Sequence, residues 1–170
     1  GYTPEKILMK NVDFSVQPKK TVAIVGPTGA GKTTLVNLLM RFYEINQGAI
    51  TFDGIDITKL SRQNLRNLFG MVLQNTWLFE GTVADNIAYG KKDASREEII
   101  EAAKIAQCDH FIRTLPQGYD TIISSENGAL SQGQQQLLTI ARIILANPPV
   151  VILDEATSSV DTRTEAHIQK

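Results

Sequence analysis

Gly26-Pro27-Thr28-Gly29-Ala30-Gly31-Lys32-Thr33 fits the pattern G-x-x-x-x-G-K-[ST], and its flanks decide how it is read. Residues 21–25 are a continuous apolar run that ends at the first glycine, which predicts a buried strand. Residues 32–42 place Leu35, Leu38, Leu39 and Phe42 on one face, which predicts a helix. A glycine loop between a strand and a helix N-terminus suits phosphate groups, which need many donors at close range. Glycines let the backbone wrap the oxygens without Cβ clashes, and the helix end adds positive potential. Lys32 supplies a point charge for β- and γ-phosphates, Thr33 offers a hydroxyl to Mg²⁺, and Thr34 can donate to the α-phosphate.

Outward from this loop, strand-like runs alternate with helical stretches, which favours an α/β class. Residues 49–52 predict a short strand, and Asp53-Gly54 a hairpin turn. Ser61 is placed to cap a short helix reaching residue 68, and residues 70–73 predict another buried strand. Residues 93–115 read as helical, with a capping box at Ser95-Arg96-Glu97-Glu98. Pro116-Gln117-Gly118 opens a loop to Gly128. Ser131 caps a helix to Ala146, stopped by Asn147-Pro148-Pro149. Residues 150–153 predict a buried strand, and residues 164–170 a final helix.

Composition bounds the rest. A chain of 170 residues suits one domain, at roughly 100–200 residues each. Seventeen Lys and Arg against eighteen Asp and Glu leave a net charge of −1, so a strong basic field for nucleic acid is absent. The single cysteine, Cys108, excludes an internal disulfide and a cysteine zinc cluster. The apolar runs fall far short of the roughly 20 residues that cross a bilayer. Residues 1–6 lack the apolar core of a signal peptide, so the piece is expected to be soluble.

Two further motifs carry chemistry. Val150-Val151-Ile152-Leu153-Asp154-Glu155 delivers two carboxylates at the carboxyl end of a strand, where open α/β sheets bind ligands. Asp154 suits Mg²⁺, through water, and Glu155 can orient or deprotonate an attacking water. Leu130-Ser131-Gln132-Gly133-Gln134 opens a helix ahead of this strand and offers a hydroxyl, an accessible glycine N–H and a helix N-terminus to an anion.

This pentapeptide resembles the LSGGQ signature of ATP-binding cassette (ABC) ATPases, with Gln132 in place of the first glycine. The order of phosphate loop (Walker A), signature and acidic strand (Walker B) extends the resemblance over nearly the whole chain. Gln74 matches the family's glutamine loop, which touches Mg²⁺ or the attacking water. Ser158-Ser159-Val160-Asp161 matches the loop that crosses the dimer interface. Tyr2 stands at the distance of the aromatic that stacks on adenine. Residues 78–90 look like the exporter-type segment that receives a coupling helix from the transmembrane domain, although their apolar residues would otherwise read as core.

The resemblance implies a P-loop NTPase (RecA-like) core, residues 1–74 and 136–170, with a small antiparallel β part. An α-helical signature subdomain, residues 75–135, is inserted in it. It implies ATP contacts from Tyr2, Gly26, Thr28, Gly29, Ala30, Gly31, Lys32, Thr33 and Thr34. It implies Mg²⁺ at Thr33, Gln74 and Asp154, and catalysis by Glu155, Gln74 and Lys32. A second cassette, identical or not, would pair head to tail, so that Leu130, Ser131, Gln132, Gly133 and Gln134 face the partner's ATP. Ser158, Ser159 and Asp161 would line that interface.

The implied setting is the cytoplasmic face of a membrane, beside the exporter's transmembrane domain. The family's cassette is longer at both ends, with a switch histidine on a later strand, so this piece is expected to be weakly active alone. His110 and His167 read as surface residues. Two other functions compete: a soluble ABC ATPase acting on nucleic acid, and a regulatory cassette that binds ATP but scarcely turns it over. The exporter-like segment and near-neutral charge argue against the first, and the glutamate at 155 against the second.

Overall fold

The computed structural model describes residues 9, 11–72, 76–124 and 130–153, and the chain divides into two units, Gly1–Arg66 and Asn67–Lys170. In the first unit, α1 spans Lys32–Leu39, followed by β1 at Thr51–Phe52, β2 at Ile55–Asp56 and α2 at Arg62–Arg66. The hairpin joins β1 and β2 antiparallel, with Thr51 opposite Asp56 and Phe52 opposite Ile55. Asp53 and Gly54 both take positive φ, 47° and 78°, the double left-handed turn whose twist matches paired strands. Ser61 caps α2 as expected, its Oγ accepting from the Asn64 N–H at 3.1 Å.

α1 stops short of the expected residue 42, and Phe42 is 51% exposed rather than on a buried face. The cause is a Schellman closure: Arg41 turns left-handed (φ 53°), the Phe42 N–H donates to Asn37 O at 2.9 Å, and the Arg41 N–H donates to Leu38 O at 3.1 Å. Glycine normally takes this position. Here the Arg41 guanidinium offsets the backbone cost by donating to the carbonyls of Ile57 and Leu60 and to Glu44. The expected buried strand at 21–25 is also corrected. Among the described residues no strand pairs with it, and Val22, Ile24 and Val25 are 53%, 45% and 87% exposed. A ladder needs a neighbour, and among the described residues the hairpin strands pair with each other alone.

In the second unit, β3 is Phe69–Val72, β4 Gly81–Thr82, α3 Val83–Ala88, α4 Arg96–Ile105 and α5 Asp109–Thr114. β5 is Ile122–Ile123, α6 Gln132–Ala146 and β6 Val150–Leu153. β3 and β6 pair in parallel, from Phe69 opposite Val150 to Val72 opposite Leu153. This parallel pair, the antiparallel hairpin and the run of helices are the α/β architecture the sequence implies. β6 is not fully buried as expected: Val151 and Leu153 are 37% and 36% exposed, alternating with better covered neighbours. The stretch 93–115 is two helices. Gln107 turns left-handed (φ 60°) and Cys108 N–H donates to Ala103 O at 2.9 Å, a second Schellman closure without glycine. The expected loop after Gly118 contains β5, paired antiparallel with β4.

The core of this unit gathers around α6. Leu138, Ile140 and Ala141 pack with Val72, Val83, Ile87, Ile99, Ala103, Cys108 and Ile112. Each large aliphatic chain fully buried there contributes roughly 1.5–3 kcal/mol. Three N-termini lock by capping boxes: Thr82 with Asp85, Ser95 with Glu98, and Ser131 with Gln134. Asn147, left-handed at φ 46°, ends α6 where the sequence predicted a stop.

Candidate functional site

The phosphate loop is built by two left-handed glycines. Gly29 has φ 83° with open space around it, so its glycine is a conformational requirement. Gly31 has φ 95°, and a Cβ there would also meet Met9 Cε at 2.9 Å. The Ala30 N–H donates to Pro27 O at 3.1 Å and tightens the curve. Gly31 is the N-cap of α1 and brings no side-chain oxygen to it, and the first turn holds no acid. At Thr82, Ser95 and Ser131 a side chain of the protein fills that role. The dipole of α1 favours an anion at this end. Lys32 Nζ arches back over the loop and donates to Gly26 O at 2.6 Å and Pro27 O at 3.1 Å. Thr28 and Ala30 are exposed on the loop, Thr33 is exposed on the first helical turn, and Thr34 follows half-buried.

The signature stands at the head of α6 in the other unit. Ser131 Oγ accepts from the Gln134 N–H at 3.3 Å, and the Gln134 Oε1 accepts from the Ser131 N–H at 2.9 Å. With its oxygen serving as the cap, the serine hydroxyl keeps its hydrogen to donate outward. Ser131 and Gln132 are exposed, and the space around Gly133 is open. Leu130 is buried at 8% and anchors the motif in the core.

Residues 76–90 pack along α6, from Thr76 at Gln135 to Asn86 at Arg142. Asn86 is fully buried, and its amide brackets the Phe79 backbone, accepting from the N–H at 3.1 Å and donating to the carbonyl at 3.0 Å. Arg142 donates through Nε to Asn86 O at 2.8 Å and through Nη2 to Asn86 Oδ1 at 3.3 Å, and it lies over the Tyr89 ring. Burial pulls the Arg142 guanidinium below its ordinary pKa. Trp77, Phe79 and Tyr89 form an aromatic cluster with centroids 5.5–6.4 Å apart. Within residues 78–90 the core reading holds for Val83, Ala84 and Ile87, which are buried, and not for Tyr89, which is 66% exposed beside the 62% exposed Trp77, with Phe79 half-buried between them. Sequence reasoning did not single out Asn86 or Arg142. The available signal was a lone charge on the largely apolar stretch Leu137–Leu145 of α6.

Tyr2, Gln74, Asp154, Glu155, Ser158, Ser159, Asp161 and His167 lie outside the described residues. β3 and β6 end side by side at Val72 and Leu153, so the chain leaves both strands at the same carboxyl end. His110 is exposed on α5. No helix among the described residues is long and apolar enough to cross a membrane.

Comparison with known proteins bears on the whole chain. The family model described as ABC transporter matches residues 9–158. A fatty acid ABC transporter ATP-binding/permease protein of Mycobacterium bovis is 59% identical over 170 residues, all of this chain and 27% of that protein. An ATP-dependent lipid A-core flippase of Legionella pneumophila is 49% identical over 169 residues, covering 99% of this chain and 29% of the flippase. Among solved structures, a bacterial Atm1-family ABC exporter with ATP bound matches with a TM-score of 0.90 and 45% identity, over 99% of this chain and 29% of that one. The chain thus spans under a third of the length of these relatives.

Proposed function

The chain belongs to the ABC transporter family, and from that premise we propose that it binds and hydrolyses MgATP as the nucleotide-binding domain of an exporter. The observation that carries this reading is the glycine loop at an uncapped helix, with Lys32 poised over its carbonyls. On this reading the loop N–H groups and Lys32 hold the triphosphate, and Tyr2 stacks on adenine. Thr33 offers a neutral oxygen of the kind Mg²⁺ accepts beside phosphates, and Asp154 and Gln74 complete its shell. The bound ion would neutralise charge on the β- and γ-phosphates. Glu155 orients or deprotonates the attacking water, and Gln74 senses it.

Two cassettes pair head to tail. Ser131 donates its free hydroxyl hydrogen, and the open Gly133 its N–H, to the partner's nucleotide, while Ser158, Ser159 and Asp161 line the interface. The exposed Trp77 and Tyr89, clustered with the half-buried Phe79, support a docking surface for a transmembrane domain at the cytoplasmic face of a membrane. Relatives named for fatty acid and lipid A-core support an amphiphilic, lipid-like cargo. A net charge of −1 argues against a nucleic-acid partner.

The test uses the full-length protein. Glu155→Gln should abolish turnover and trap an ATP-dependent dimer visible by gel filtration. Turnover at the original rate would refute Glu155 as the base.

A further inference from the structure

One side chain of α6 bridges two segments that the sequence keeps far apart. Gln135 Nε2 donates to the carbonyl of Leu130, the first residue of the signature, at 3.1 Å. Its Oε1 accepts from the hydroxyl of Thr76 at 3.3 Å. Thr76 stands two residues after Gln74 in sequence, and the amide ties it to the start of the signature. The backbone of Gln135 is itself fixed, its N–H donating to Ser131 O at 3.0 Å and its carbonyl accepting from Thr139 Oγ1 at 3.1 Å. Two turns further along the same face, Arg142 donates to the carbonyls of Asn86 and Trp77. Residues 76–79 are therefore pinned to α6 at two points, the first of them next to the signature.

We propose that Gln135 is a positioning residue for ATP turnover, its side-chain amide fixing the spacing between the segment that follows Gln74 and the signature at Leu130–Gln134. The inference rests on the ATPase reading above. An amide suits the task because it accepts from one neighbour and donates to the other with a rigid plane between. Leucine fills a similar volume and does neither. Glutamate keeps the Thr76 half, since a carboxylate accepts from the hydroxyl, and loses the donation to Leu130. A bridge needs both halves, so the two replacements should act alike. A residue that merely stabilises the subdomain would shift melting and leave kcat per folded protein unchanged.

The experiment measures kcat and KM for ATP in the full-length protein for Gln135→Leu, Gln135→Glu, Thr76→Val and the Thr76→Val/Gln135→Leu double variant. Each single variant should lower kcat about fivefold, the scale of one net hydrogen bond, with KM within about twofold. The double variant should be no slower than the slower single, because both changes break one bridge. Unchanged kcat, a loss confined to KM, wild-type behaviour in Gln135→Glu, or losses that multiply in the double variant would each overturn the proposal. Thr76→Val removes only a hydroxyl and keeps its shape, so it decides the question alone if a Gln135 variant misfolds. Absence of turnover in the unsubstituted protein would overturn the ATPase reading, and this inference with it. Turnover with multiplying losses would overturn this inference alone.

Discussion

Replacing Lys32 by methionine separates nucleotide binding from folding. Methionine keeps much of the side chain's length and apolar stem and removes the charge. Among the described residues Nζ bonds only the loop carbonyls of Gly26 and Pro27, both exposed contacts. Losing contacts of that kind should change the stability of the nucleotide-free protein by no more than about 0.5 kcal/mol, the range of surface substitutions. On the proposed reading, a bound triphosphate would draw the ammonium from those carbonyls to phosphate oxygens. A charge-assisted hydrogen bond of this type contributes about 1.5–3 kcal/mol. At the upper end, its loss weakens binding about 100-fold.

The consequence can be read by melting. Nucleotide at 100 times the dissociation constant stabilises the unsubstituted protein by about 2.7 kcal/mol. At the same concentration a variant bound 100-fold more weakly keeps only about 0.4 kcal/mol. For a chain of this size each kcal/mol moves Tm by roughly 2–4 °C. The unsubstituted protein should therefore gain roughly 5–11 °C with ATP, and Lys32→Met roughly 1–2 °C. Differential scanning calorimetry with and without ATP gives both shifts, and titration calorimetry gives the dissociation constants. If Lys32→Met binds ATP within about threefold of the parent while melting identically without it, the loop does not use this lysine for phosphate.

Other consequences are structural. Gly90→Ala would drive its Cβ into the carbonyl oxygen of Arg142, with the carbonyl carbon at 3.1 Å and Arg142 Cγ at 3.2 Å. Most of that obstacle is backbone, so a cost of about 1–3 kcal/mol is expected, seen as a lower denaturant midpoint. A stabilised Gly90→Ala protein, the usual effect of removing a glycine from an unfolded chain, would refute the clash. Acid should weaken the second unit through its capping carboxylates. Asp85 is held below the usual carboxylate range by the Thr82 hydroxyl and N–H, and Glu98 by Lys91 and the Ser95 N–H. Each folded-state pKa lies below the unfolded one, so the stabilisation is complete above the ordinary carboxylate pKa and disappears as pH falls through the folded value. Urea midpoints at pH 7 and pH 3 should differ less in Asp85→Asn/Glu98→Gln than in the parent, and equal differences would clear the caps of responsibility.

What the sequence made legible was whatever is encoded within about four residues. The Asp53-Gly54 hairpin, the Ser95 box, the Ser61 cap and the Asn147 stop follow from local backbone chemistry, and each is found where expected. The same rules misplaced the ends of α1 and α4 because Arg41 and Gln107 take the left-handed position that glycine usually marks. At Arg41 the reason is visible only in three dimensions, since the carbonyls that reward its guanidinium are those of residues 57 and 60. The two-residue pairing of β4 with β5 is too short to leave a periodic signal. The run 21–25 shows the opposite failure. An apolar pattern states a need for cover and says nothing of which segment supplies it, and the described chain leaves Val25 87% exposed.

The candidate site divides along the same line. The glycine-loop pattern is local, so spacing alone makes it legible, whereas the Arg142–Asn86 link joins residues 56 apart, and a lone cation in α6 does not name its partner. The signature belongs to both kinds. Read locally, Ser131 and Gln134 form an S-x-x-Q capping box, and a capped surface helix would explain them without any ligand. Read as part of the ordered motifs, they are proposed to form an anion site. The geometry removes the opposition between the two. The cap consumes the serine oxygen as an acceptor and the Gln134 N–H as a donor. It leaves the serine hydroxyl hydrogen and the open face of Gly133, the donors an anion needs. Capping fixes the hydroxyl's position before any nucleotide arrives, so the energy that stabilises the helix also preorganises the site. Ser131→Ala should therefore cost helix stability and partner-nucleotide contact together, whereas Ser131→Asp, an equally good cap that brings a negative charge to the anion, should spare the first and abolish the second.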